Sequence, residues 1–130
     1  MRLTLIRCTV AAAAGLFASA ASPATAAAAD CDLAIRHASI VAEQGERALA
    51  SQSYVAAGDA AASARIPSID AARHAKACGC AEAVPLLEDA TLTAARANVV
   101  FNLTGAQAYG ARLKKDADAA LEALRRCAAR

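Results

Sequence analysis

Apolar residues recur at intervals of three and four along most of the chain, which is the spacing of an amphipathic α-helix. The clearest stripe covers the C-terminal segment and consists of Leu103, Ala106, Gly110, Leu113, Ala117, Ala120, Leu121 and Leu124. A second stripe covers the segment before it and consists of Cys80, Val84, Leu87, Thr91, Ala95 and Asn98. The sequence has no stretch of strand-like alternation between apolar and polar residues. The pattern therefore predicts an all-α protein.

Turn-forming residues divide this helical pattern. Clusters of Ser, Asn, Asp, Gly and Pro lie at 51–53, 58–59, 66–68, 78–80 and 98–105. We expect the first two clusters to supply a helix stop and a new N-cap, and the third to kink or break a helix at Pro67. Gly45 is a further candidate interruption of the first helix, so helix bounds before residue 70 stay open.

The composition limits the kind of core that the chain can build. Ala supplies most of the hydrophobic fraction of 58%, whereas aromatic residues make up only 3%. A β-sandwich or a doubly wound α/β fold needs many β-branched and aromatic residues. So few large apolar side chains favour closely packed, Ala-rich helices instead.

The first 29 residues have the composition of a secretory signal peptide. Arg2 and Arg7 give a positive start, and an apolar stretch follows at 9–21. Small residues then offer cleavage after Ala29, which we favour, or after Ala26. The apolar stretch is too short to span a bilayer, which takes about 20 strongly apolar residues. We therefore expect a periplasmic or secreted protein whose mature domain is 30–130.

Export would change the charge of the chain. Loss of Arg2 and Arg7 from the 14 basic residues leaves 12 against 12 acidic ones. A neutral domain that lacks interleaved aromatic and basic residues is a poor nucleic-acid binder. We also expect no transmembrane segment in the mature chain, and a protein or envelope component as the partner.

The cysteines carry the most specific signal. Apart from Cys8 in the leader, the chain contains Cys31, Cys78, Cys80 and Cys127, and both 78 − 31 and 127 − 80 equal 47. An even cysteine count in a small exported domain indicates disulfides. The sequence therefore holds two equal units, each bounded by cysteines and joined by one glycine.

Each unit folds naturally as a helical hairpin. The midpoints fall near Tyr54 and Leu103, in or beside the turn clusters. All four sulfurs then meet at one pole of a small antiparallel four-helix bundle. A three-helix alternative that turns at Pro67 leaves Cys31 and Cys78 roughly 35 Å apart, beyond the reach of a disulfide.

Three disulfide connectivities are open. We prefer Cys31–Cys78 with Cys80–Cys127, and the crossed pairs Cys31–Cys80 and Cys78–Cys127 are nearly as good geometrically. A Cys78–Cys80 bond would close a small strained ring and ranks last. In the preferred arrangement the cysteines are structural, and each bond contributes about 3–4 kcal/mol.

The two histidines suggest an alternative function. The hairpin model places His37 and His74 at similar heights near the sulfur pole, and His74 lies four residues before Cys78. With Cys78 and Cys80 reduced, thiolates and imidazoles suit Cu or Zn. A periplasmic metal-binding protein is therefore the alternative hypothesis.

The sequence lacks the motifs of the common catalytic classes. It has no Cys-x-x-Cys-His for haem attachment, no Glu-x-x-His of di-iron bundles, no phosphate-binding glycine loop and no nucleophile elbow. We therefore expect no enzyme and no cofactor. The main hypothesis is an exported helical bundle that acts by binding a protein, the envelope or a small ligand.

Overall fold

The computed structural model of the chain describes residues 22–130, and every regular element within them is helical. These elements are α1 (Pro23–Ala50), α2 (Tyr54–Ala62), α3 (Arg65–Ala77), α4 (Ala83–Arg96), a 3-10 turn (Ala97–Val99) and α5 (Leu103–Ala128). They form four antiparallel arms, of which the second consists of α2 and α3. The predicted fold, an all-α four-helix bundle with two disulfides, is confirmed.

The arms pack side by side around a common core. The most extensive contact joins α1 to α5, and α1 also packs on α3. On the other side of the bundle, α4 packs on both α3 and α5. The short helix α2 contacts α5, α1 and the 3-10 turn. As a result α3 and α4 lie next to each other at the surface and form one side of the bundle.

The second arm breaks before Pro67 rather than at it. Pro67 is the third residue of α3 and has no N–H to donate to the carbonyl of Ser63, four residues earlier. The helical ladder is interrupted there, and Ser63 and Ala64 connect α2 to α3 in right-handed conformation. The Ser63 hydroxyl donates a hydrogen bond to the carbonyl of Asp59, 2.7 Å away, at the end of α2. The arm therefore bends without reversing, as the disulfide spacing requires.

Two expectations about glycine were wrong. Gly45 does not interrupt α1, and the 58–59 cluster lies inside α2 instead of capping it. The N-cap of α2 is Ser53, whose side chain accepts a hydrogen bond from the Ala56 N–H at 3.2 Å. Gly58 is instead a contact point, because a Cβ there would lie 3.3 Å from the Ala97 carbonyl oxygen.

The core consists mostly of alanine. The only fully buried aliphatic side chains larger than Ala in the described chain are Leu87, Leu113, Leu124 and Val41. Around them pack alanines from α1, α3, α4 and α5, in one cluster at the disulfide end and another toward the opposite end. Small side chains let helix axes approach closely, which agrees with the composition.

Many of the large apolar side chains lie at the surface. The exposed ones are Leu33, Ile40, Leu49, Tyr54, Val55, Ile66, Ile69, Leu92, Val99 and Phe101. The predicted stripe on α5 is confirmed except for its first member, Leu103, which is only partly buried. The stripe predicted for α4 is wrong beyond Leu87, since Ala95 and Asn98 are exposed. Here α4 buries Ala90, Thr93 and Ala94, and the two small alanines permit close contact with the neighbouring helices.

The predicted leader lies mostly outside the described residues, since 1–21 are not among them. Residues 23–29 form the first turns of α1, and Ser22 caps that helix by accepting from the Thr25 N–H. Both expected cleavage points, Ala26 and Ala29, therefore lie within a helix. In the described part of the chain, no helix is long and apolar enough to cross a membrane.

Candidate functional site

The four cysteines meet at one pole, in the preferred pairing. Cys31 on α1 bonds to Cys78 at the end of α3, with their Cα atoms 5.1 Å apart. Cys80 bonds to Cys127 near the end of α5, with their Cα atoms 5.8 Å apart. Cys31 and Cys80 are buried, and the other two sulfurs are half-buried. The disulfides thus tie α1 to α3 and the start of the third arm to α5.

A single glycine makes this adjacent pairing feasible. Gly79 has a φ of 77°, in the left-handed region that L side chains rarely adopt. Its N–H donates to the Lys76 carbonyl, and the Cys80 N–H donates to the Ala75 carbonyl at 2.9 Å. This pair of hydrogen bonds is a Schellman motif, which ends α3 and reverses the chain within one residue. Cys78 and Cys80 consequently project to different partners.

The two histidines lie together beside this pole, as the hairpin model predicts. The rings of His37 on α1 and His74 on α3 are parallel within 1°, with centroids 5.8 Å apart. His74 Nδ1 lies 2.7 Å from Asp30 Oδ1, and the His74 side chain is mostly buried. Asp30 therefore orients the His74 ring and links α1 to α3 a second time, next to the Cys31–Cys78 bond.

This arrangement does not assemble the ligand set of the metal-binding hypothesis. The sulfurs of Cys78 and Cys80 are held in disulfides, so they ligate a metal only after reduction. The lone pair of an imidazole lies in the ring plane, and the parallel planes of His37 and His74 do not converge on one ion. Among residues 22–130, no group of three or more His, Cys, Asp or Glu is placed to hold a metal.

A different feature of the surface has the properties of a binding site. Between α3 and α4 runs an open groove of about 610 Å³. Ile69 and Leu92 form its walls, and Ala72 lies at its floor. A second hollow of about 360 Å³ continues it toward Gly79, with Lys76 between the two. The groove volume lies within the range of roughly 300–1,000 Å³ that ligand sites occupy.

We call this side of the molecule the α3–α4 face. It is defined by Ile66, Ile69, Arg73 and Lys76 on α3 together with Glu88 and Leu92 on α4. Ile66 is 64% exposed and Leu92 is 56% exposed. The α3 members are spaced by three and four residues, so they share one side of that helix. The face therefore has an apolar half, formed by Ile66, Ile69 and Leu92, and a charged half nearer the disulfide pole, formed by Arg73, Lys76 and Glu88.

The charges on this face are paired with one another. Lys76 Nζ on α3 lies 2.9 Å from Glu88 Oε1 on α4, so the pair bridges the groove. Arg73 pairs with Asp70 along α3, also at 2.9 Å. All four side chains remain substantially accessible to solvent. Such pairs contribute at most about 1 kcal/mol each, so a partner can exchange them at little cost.

Sequence reasoning found the disulfide pole but missed the α3–α4 face. The available signal was the set Ile66, Ile69, Arg73 and Lys76, which repeats at helical spacing on the side of α3 away from the small-residue stripe of Ala64, Ser68, Ala71 and Ala75. Leu92 gave a second signal, since it lies off the predicted buried stripe of α4. By size and apolarity alone, Ile66, Ile69 and Leu92 are expected in the core, because large apolar side chains are usually buried.

The comparisons with known proteins give no relative. The chain matches no protein family, and neither the curated proteins nor the solved structures contain a significant match.

Proposed function

We propose that this chain is an exported, non-catalytic binding protein that docks its partner on the α3–α4 face. The observation that carries the proposal is the position of the large apolar side chains. Ile69 and Leu92 line the groove and Ile66 is exposed on the same side of α3, whereas alanines fill the core behind them. Exposed apolar surface of this kind, bordered by charges, is typical of interaction sites.

Export is supported by the cysteines and by the leader-like sequence of 1–29. Both bonds are formed between half-buried or buried sulfurs that link different arms. Disulfides of this structural kind persist in oxidising compartments and are rare in the cytosol. The two observations are independent, since the bonds are in the bundle and the leader precedes it.

The groove chemistry supports binding rather than catalysis. Its charged groups, Arg73, Lys76 and Glu88, are each engaged in an ion pair, and the Lys76–Glu88 pair spans the groove. The walls and floor are aliphatic. Such a surface provides apolar contact area and a polar border, as protein interaction sites do.

Site-specific photo-crosslinking tests the proposal. The full chain, with its N-terminal segment, is expressed in a bacterium that has a periplasm, with a photoreactive residue in place of Leu92. The control position is Val55 on α2, whose exposure of 54% matches the 56% of Leu92. Ile66 and Val99, at 64% and 63%, form a second matched pair. We expect adducts from positions 92 and 66 and none from 55 and 99.

The same experiment reports the location and the redox state of the chain. We expect the processed chain in the periplasm with no free thiols, measured by intact mass after alkylation. Equal adducts at the control positions, or no adducts at 92 and 66, would show that the α3–α4 face is not the docking surface. A cytoplasmic chain with free thiols would overturn export.

A further inference from the structure

We propose that the partner on the α3–α4 face is a second copy of this chain, related to the first by a two-fold axis parallel to α3 and α4 along the groove. This inference rests on the proposed function, because it names the occupant of the same surface. Three features of the face support it: the arrangement of its charges, its apolar walls and its size.

The charge arrangement is self-complementary. The 2.9 Å ion pair places Lys76 on one wall of the groove and Glu88 on the other at the same height. A two-fold axis along the groove lays α3 of one copy over α4 of the other without changing heights along the axis. Lys76 of each copy therefore faces Glu88 of the other. Two attractions form between the copies, and no like charges are brought opposite each other at that level.

The overall charge of the face favours a neutral partner. The face itself holds Arg73, Lys76 and Glu88, and the neighbouring Asp70 pairs with Arg73, so the face and its border together carry two cations and two anions. An anionic lipid surface or a nucleic acid would be attracted by an excess of cations, which this face lacks. A second copy presents the same balanced set, so it meets the face without net repulsion.

The apolar walls follow the same symmetry. Ile69 and Leu92 stand on opposite walls of the groove, so the two-fold operation lays Ile69 of one copy against Leu92 of the other. The small Ala72 side chain, only 7% exposed, leaves the floor open for these side chains. Together α3, α4 and their symmetry mates make a second four-helix arrangement, with each α3 antiparallel to the facing α4.

The size of the face sets the expected affinity. With 13 residues in α3 and 14 in α4, each helix is about 20 Å long. Two such helices packed about 10 Å apart present a face of roughly 20 Å by 20 Å. Two faces of roughly 400 Å² each bury about 800 Å² together, which is the size of a weak, transient interface. We expect a dimer with a dissociation constant in the micromolar range.

Sedimentation equilibrium of the purified, oxidised chain measures this association. Over roughly 1 to 200 µM we expect a reversible monomer–dimer equilibrium. Leu92→Asp introduces a charge into the apolar contact, and we expect it to weaken the dimer at least about tenfold. Val55→Asp, the matched control at equal exposure, leaves the equilibrium unchanged. Circular dichroism of each variant confirms that its bundle is folded.

Charge exchange tests the symmetry axis itself. In Lys76→Glu the new carboxylate faces Glu88 of the second copy, and in Glu88→Lys two lysines face each other. We expect each variant alone to dimerise about five- to tenfold more weakly. Mixing the two variants, or combining both changes in one chain, restores opposite charges at the interface. Both combinations should recover dimerisation. Recovery in the mixture is the decisive result, because each chain there still lacks its internal Lys76–Glu88 pair, whereas the double variant restores that pair as well.

The outcomes separate this inference from the proposed function. A chain that stays monomeric to roughly 200 µM, yet crosslinks from position 92 to another protein, leaves the docking face in place and overturns the second copy as its occupant. A dimer that is insensitive to Leu92→Asp overturns the proposed interface. A mixture of charge variants that does not recover overturns the two-fold geometry. Absence of every adduct from position 92 contradicts the docking function itself.

Discussion

At Gly45 and Gly110 the backbones of α1 and α5 are in direct contact. A Cβ on Gly45 would lie 2.8 Å from both the Gly110 carbonyl oxygen and the Lys114 amide nitrogen. A Cβ on Gly110 would lie 2.6 Å from Cβ of Ala48 and 2.8 Å from the Gly45 carbonyl oxygen. These atoms belong to the main chain or to a buried alanine, so they cannot turn aside. The absence of two side chains thus sets the separation of the helices with the largest contact.

Gly45→Ala should therefore destabilise the bundle although Ala is the better helix former. The propensity gain is about 1 kcal/mol, whereas overpacking against backbone at this distance costs about 2–3 kcal/mol, the upper part of the usual range. We expect a net loss of roughly 1–2 kcal/mol in the free energy of unfolding, measured with urea. Gly58→Ala is the control, because its Cβ would approach only to 3.3 Å of a carbonyl oxygen. A Gly45→Ala variant as stable as the wild type would contradict the close contact.

Asp116 is a carboxylate in an unfavourable position on α5. Its Oδ2 atom is buried without a hydrogen-bond partner, and the nearest cation atom is Arg112 Nε at 3.9 Å. Burial raises the pKa of Asp116 above its usual value of 3.8, and the Asp89 charge adds to that rise while Arg112 opposes it. The folded state therefore holds the proton more tightly than the unfolded chain does.

This sign predicts how stability depends on pH. Because the pKa of Asp116 is raised in the folded state, its protonated form contributes to stability. This contribution to the free energy of unfolding is fully present below the unfolded pKa of 3.8 and is lost as pH rises through the folded pKa. Asp116→Asn should accordingly raise the melting temperature at pH 7, and the difference should shrink toward pH 3. Thermal unfolding at both pH values measures it. Asp118→Asn is the control, since its carboxylate pairs with Lys114 at 2.8 Å and its removal brings no gain.

At the scale of the helices, the hairpins were predictable from the sequence because the midpoints of the two cysteine-bounded units fall in or beside clusters of turn residues. This agreement predicted the four arms and the meeting of the four cysteines at one pole, and it left the observed pairing preferred over a crossed pairing that was nearly as good geometrically. The bend at Ser63 was harder to predict, since the effect of Pro67 falls on a carbonyl four residues earlier. Which side of α4 is buried was not predictable from periodicity, because in an Ala-rich helix several sides have the same hydrophobicity. The α3–α4 face escaped prediction for a different reason, since Ile66, Ile69 and Leu92 are large apolar residues of a kind that usually lies in the core.

The N-cap of α5 illustrates a local signal that the chain does follow. Asn102 Oδ1 accepts a hydrogen bond from the Gly105 N–H at 2.7 Å and satisfies one of the free donors at the start of the helix. Asn102→Ala should cost about 1 kcal/mol of stability, and Asn102→Asp should retain it. Urea unfolding compares these with Asn98→Ala in the preceding 3-10 turn. Equal losses at both positions would show that the cap contributes nothing specific.

For the whole molecule, the alanine core makes the disulfides important. A buried Leu contributes roughly 1.5–3 kcal/mol, and only three leucines in the described chain are fully buried. Alanine contributes much less area, and several large apolar side chains contribute little because they stand at the surface. The bonds Cys31–Cys78 and Cys80–Cys127 compensate by restricting the unfolded chain. The α3–α4 face remains available for binding because the fold does not depend on burying it.

Each bond closes a loop with a sequence separation of 47. The chain-entropy model therefore gives each of them a stabilisation of about 4 kcal/mol. Against a typical total of about 5–15 kcal/mol, loss of both should leave the chain largely unfolded. We expect replacement of one pair of cysteines by alanine to lower the urea midpoint strongly, with Cys80–Cys127 the costlier, because Cys80 is fully buried against Leu87 and Leu124. If removal of Cys31–Cys78 costs more stability instead, the Asp30–His74 contact depends on the neighbouring Cys31–Cys78 bond more strongly than the core depends on Cys80–Cys127. A doubly substituted chain that unfolds at the wild-type urea concentration would refute this account of the bundle's stability.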